Sequence, residues 1–164
     1  MRALLFLLLL VPGFAAATAQ IPDLIVLDGK TNSLFTNPFG AYLRRNQGAI
    51  PKLEAVVEGG CSASWRGYRA NWEIKERRLF LAALFSDPCS QSPKPIPLTT
   101  FFPDAQGPVE ATWFSGTLVI PQGEMTEYIH MGYQSEYERY LLITVEQGAV
   151  VTIEERDSLS PSQP

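Results

Sequence analysis

Period-two alternation of apolar and polar positions recurs along this chain and predicts strands rather than long helices. Tyr68, Ala70, Trp72 and Ile74 alternate with Arg69, Asn71 and Glu73, which gives a strand one apolar and one polar face. Trp65 is out of phase with that face, and Gly67 offers a place for a bulge to correct the register. Leu79 to Phe85 is apolar on both faces, as a central strand would be, and Lys75-Glu76-Arg77-Arg78 joins the two runs as a hairpin turn. Tyr137 to Glu146 and Ala149 to Glu155 flank Gln147-Gly148 as a second hairpin. Leu24 to Leu27 ends at Asp28-Gly29, a pair suited to the positive φ of a tight turn, with Leu34-Phe35 as the return strand. Trp113 to Ile120 is a further strand, closed by Pro121-Gln122-Gly123.

One helix interrupts the strands. Asn37 takes the cap position and Pro38 the first turn, Phe39, Tyr42 and Leu43 share a face, and Arg44 and Arg45 suit the negative end. Its expected end is near Asn46-Gln47-Gly48. Lys52 to Gly60 fits strand or loop equally, and residues 124–136 fit no single element. Residues 90–108 hold Pro93, Pro95, Pro97, Pro103 and Pro108, so they read as a long connection with one helical turn at Leu98 to Phe102. The sum is a mainly β domain: one antiparallel curled sheet or small open barrel, with one short N-terminal helix.

Ahead of these elements, Ala3 to Val11 is an apolar run behind the basic Met1-Arg2. Pro12-Gly13 breaks it, and Ala17-Thr18-Ala19 supplies an A-x-A end, the pattern of a secretory signal peptide cut after Ala19. The run is shorter than the roughly 20 apolar residues a bilayer span needs. The expectation is a signal at residues 1–19, a single domain at 20–157 and a disordered, proline-rich tail at 158–164. Such a protein is soluble, and periplasmic or secreted. Without Arg2, twelve Lys and Arg face seventeen Asp and Glu, a balance that argues against a nucleic-acid partner. The local basic patch of Arg66, Arg69, Lys75, Arg77 and Arg78 reads as a solvated hairpin face.

Export to an oxidising compartment makes a bridge the default for Cys61 and Cys89. Each lies 14 residues from Lys75, so the hairpin brings both to its open end. A reactive thiol pair is the weaker reading, because redox pairs take C-x-x-C spacing.

Several stretches recur together: Leu27-Asp28-Gly29, Asn37-Pro38-Phe39 with Tyr42-Leu43, Trp65-Arg66-Gly67-Tyr68 with Trp72-Glu73-Ile74, Trp113-Phe114-Ser115-Gly116-Thr117-Leu118, and His130-Met131-Gly132-Tyr133 with Tyr137-Glu138. Their order resembles a group of small bacterial proteins that carry no assigned activity. The resemblance spans most of residues 24–153. It implies one domain and a bacterial origin, transfers no catalytic residue, and does not include the two cysteines.

Little in the chain points to catalysis. His130 is the only histidine, no metal-ligand spacing exists, and neither phosphate-binding glycine loop nor G-x-S-x-G elbow occurs. No metal and no cofactor are expected. The densest polar-aromatic stretch is Glu127 to Tyr140, with four tyrosines, three glutamates, His130 and Arg139. Read as a ligand groove, it offers His130, Tyr133, Glu136, Tyr137 and Glu138, with Trp65, Arg66 and Trp113 as walls. Read structurally, it is an amphipathic strand. The leading expectation is a non-enzymatic binding domain for an envelope protein or glycan. The alternative is a small hydrolase of an envelope glycan using Glu136 or Glu138 as acid/base, which would place both carboxylates beside His130 in one pocket.

Overall fold

The computed structural model describes residues 19–159. The proposed signal up to residue 18 and, of the expected tail at 158–164, residues 160–164 lie outside the described residues. Nine strands form one mixed, open sheet: β1 (Asp23–Leu27), β2 (Lys30–Leu34), β3 (Tyr68–Lys75), β4 (Arg78–Ser86), β5 (Lys94–Ile96), β6 (Val109–Glu110), β7 (Gly116–Glu127), β8 (Glu136–Glu146) and β9 (Ala149–Arg156). The order is β2-β1-β3-β4-β9-β8-β7, with β5 and β6 also paired to β4. The sheet is not wholly antiparallel, because β1 and β3 run parallel. A parallel pair needs a long crossover, and two helices supply it.

Those helices are α1 (Pro38–Arg45) and α2 (Ile50–Val56). The second corrects the open strand-or-loop reading of residues 52–60 and the count of one helix. It is seven residues long with only Leu53 buried, too little to print a helical period on the sequence. Three two-residue turns take positive φ at both central positions: Asp28-Gly29, Glu76-Arg77 and Gln147-Gly148. The middle one does so without glycine, and Arg77 Nη2 donates to the carbonyls of Val150 (2.9 Å) and Val151 (3.1 Å).

Two expected boundaries move. The register slip falls between Asn71 and Trp72, not at Gly67. Gly67 instead turns the chain into β3 at φ +71°, where a Cβ would overlap Val57. Pro121 does not close β7, which continues to Glu127 through two further register shifts. β7 is the last strand of the order, and an edge strand tolerates a proline with no N–H to offer.

The core holds Ile25, Leu34, Phe39, Trp72, Leu79, Leu81, Leu84, Leu118, Ile120 and Ile143, all almost fully buried. Phe39 on α1 meets Tyr42, Tyr68 and Phe101 ring to ring, so the α1 face read from its spacing does reach the core. Just past β2, the N–H of Phe35 donates to Val119 O (2.8 Å), and Thr36 Oγ1 accepts from Val119 N (2.9 Å). These bonds draw the two ends of the curled sheet together. Cys61 and Cys89 are joined as a disulfide beyond the open end of the β3–β4 hairpin, with Cα atoms 6.6 Å apart. No helix among the described residues is long and apolar enough to cross a membrane.

The basic patch divides in two. The Arg66 side chain is buried and Arg69 lies over the Phe85 ring, whereas Lys75, Arg77 and Arg78 are exposed on the hairpin, with Arg77 bonded to β9 and Arg78 paired with Glu110 of β6 at 2.5 Å.

Candidate functional site

Tyr133 is held from both sides by residues distant in sequence. Its loop folds on itself through Ser135, whose Oγ accepts from Ile129 N (3.1 Å) and faces Ile129 O (3.3 Å). Gly132 takes φ +54°, and its carbonyl accepts from Gln20 N (3.1 Å). The Tyr133 ring then stacks on Phe35, with centroids 5.0 Å apart and planes 7° from parallel.

Behind the ring lies a buried polar network. Asp23 is fully buried and accepts from Arg66 Nη1, Ala70 N and Trp72 Nε1, each at 3.1 Å. Arg66 Nη2 donates to Ile21 O and to the Tyr133 hydroxyl, each at 3.0 Å. Asn37 Oδ1 accepts from Arg66 Nη1 and from the Tyr133 hydroxyl. Asn37 therefore sits at the helix cap position but spends its side chain elsewhere, with no capping bond. Loss of water pushes the Asp23 carboxyl up from its ordinary value, while Arg66 and the Trp72 and Ala70 N–H groups pull the other way. Burial likewise pushes the Tyr133 hydroxyl up. Such a satisfied network fixes geometry; a buried ion pair is a weak source of net stability.

In front of Tyr133 opens a groove of about 560 Å³. Glu136, Tyr137, Glu138 and Tyr140 line it from β8, and Asp157 to Leu159 line it from the segment after β9. Glu136 and Glu138 are exposed and alternate onto one face, as the strand reading requires. Glu138 Oε2 also accepts from Glu124 N at 3.2 Å, folding over Gly123, where a Cβ would overlap it. The Tyr140 hydroxyl accepts from Tyr137 N (3.0 Å). All three charged lining residues are acidic.

The structure thus gathers Tyr133, Glu136, Tyr137 and Glu138, with Arg66 in contact behind them. It does not bring in the other three candidates. His130 is exposed with its ring edge-on to Tyr128, centroids 4.5 Å apart, and does not line the groove. Trp65 is 76% exposed and borders a different hollow of about 450 Å³ between α1 and α2. Trp113 stacks on Phe102 (5.2 Å) and donates to Pro38 O (3.1 Å), so it anchors α1. Sequence reasoning missed Asp23, Asn37 and Tyr140. Asp23 carried one readable signal, a lone acid at the head of an apolar strand. Among the described residues, no group of three metal-ligating side chains converges.

Comparison with protein-family models, with curated proteins and with solved structures finds no match to this chain.

Proposed function

We propose that this chain is an exported, non-enzymatic binding domain, and that the tyrosine-carboxylate groove receives a partner of the cell envelope, protein or glycan. The supporting observation is the groove's composition: Tyr133, Tyr137 and Tyr140 beside Glu136, Glu138 and Asp157. Aromatic faces supply contact area and carboxylates accept hydrogen bonds from ligand O–H or N–H groups. The hydrolase reading asks for His130 beside the two carboxylates, and His130 stands outside. Glu138 is moreover engaged with the backbone at Glu124. Export is supported by the residues 1–19 pattern and by the Cys61–Cys89 disulfide.

The test is affinity capture from the native envelope with the wild-type chain and Tyr137→Ala in parallel. One partner, protein or glycan, should be retained by the wild type and lost from the variant. Glycan cleavage by the purified chain that Glu136→Gln abolishes would overturn the binding reading in favour of the enzyme.

A further inference from the structure

Beside the groove, β9 leaves the main sheet. It pairs with β4 only at Arg78–Ala149, and β6 then takes the β4 edge at Phe80 and Leu81. From Thr152 to Arg156 no other described strand pairs with β9 on the side away from β8. Every residue from Val151 to Leu159 is exposed, including Val151 at 45% and Ile153 at 53%. An open edge of this kind presents a row of backbone donors and acceptors, a template for one more strand. The edge runs straight on into the groove, because Asp157, Ser158 and Leu159 form one of its walls.

Charge selects among the strands that could add. Glu154 is matched by Arg156 at 3.0 Å, while Glu155 and Asp157 have no cation of the chain bonded to them among the described ion pairs. Glu136 continues the acidic surface into the groove. A second copy would bring the same acidic edge against this one, which disfavours self-pairing.

We infer that β9 is a strand-addition site for an extended, basic segment of an exported partner protein, whose backbone pairs along Thr152–Arg156 and whose cationic side chains reach Glu155, Asp157 and Glu136. This rests on the binding reading above and narrows it from protein or glycan to protein. Specificity comes from the acids and the tyrosine groove, and backbone pairing supplies sequence-tolerant affinity.

The experiment titrates the full exported chain with a capped octapeptide of alternating Lys and Val, following anisotropy and backbone hydrogen exchange. Binding should protect those amides of residues 152–156 that face away from β8. The same peptide methylated at every backbone nitrogen, and a Glu-Val counterpart, should each bind at least tenfold more weakly. The double variant Glu155→Lys with Asp157→Lys, at two exposed positions, should reverse the Lys-Val over Glu-Val preference. Equal binding of the methylated peptide, or binding without protection of β9, overturns the proposal. So does protection of β9 by concentration-dependent dimers without peptide. An N-acetylglucosamine tetramer that binds where the peptide fails overturns strand addition but keeps the groove. Failure of both probes, with capture insensitive to Tyr137→Ala, removes both readings.

Discussion

The two flanks of the sheet are built on opposite terms. Around β1 and β3, polar groups are buried and bonded to one another: Asp23, Arg66, Asn37 and the Tyr133 hydroxyl share one network under the core residue Trp72. On the outer reach of β7, β8 and β9, polar groups face water, and the edge of β9 is unpaired from Thr152 on. Tyr133 touches both regions, its hydroxyl in the network and its ring at the groove. The contrast teaches that one flank fixes the position of an aromatic ring, and the other leaves that ring open to the groove where we propose binding. Changes in the first should cost stability, whereas changes in the second should cost binding alone.

The largest effect should come from breaking the network. Asp23→Ala leaves Arg66 buried without its partner, and chemical denaturation should read a loss of about 3–5 kcal/mol. Opening the Cys61–Cys89 bridge by Ser replacement at both positions should cost about 3 kcal/mol, in line with the loop it closes. A thiol assay of the wild type folded under oxidising conditions should find no free sulfhydryl.

Alkaline titration probes the buried flank. Burial pushes the Tyr68 and Tyr133 hydroxyls above their ordinary value, so the fold keeps protons that the unfolded chain releases. The stability these groups contribute is fully present below about pH 10 and falls as pH rises, by about 1.4 kcal/mol per pH unit for each tyrosine so affected. Absorbance at about 295 nm should show these two ionising later than free tyrosine.

Arg77→Ser and Arg78→Ser test a tie between the flanks. Each removes side-chain bonds from the hairpin to β9 or β6 and should cost about 1 kcal/mol. No change in denaturation midpoint would return them to the solvated reading. The smallest effect belongs to the groove. Glu136→Gln with Glu138→Gln should alter stability by less than about 0.5 kcal/mol each while weakening partner capture. A large stability loss would show that these carboxylates hold the fold.

Much of the secondary structure was legible in the residues. Tyr68, Ala70 and Trp72 announced β3 by alternation, Gln147-Gly148 marked its hairpin, and Asn37-Pro38 opened α1 where expected. The groove was half legible, since Glu136 and Glu138 had to share a face of any strand that held them. The helix α2 was not, because seven residues with one buried side chain leave no period to detect. His130 was misplaced for a related reason. Nearness in sequence to tyrosines said nothing of where its loop would point.

Local chemistry alone determined the longer strands, their tight turns and the disulfide, since alternation, turn residues and cysteine spacing act over a few residues or one hairpin, whereas β5 formed inside what read as a proline-rich connection. Only the tertiary structure decided that Asp23, Arg66 and Tyr133 meet, that β1 runs parallel to β3, and that β9 keeps an open edge. Those outcomes depend on which distant segments compete for the same hydrogen bonds and the same buried volume, and no local pattern records the winner.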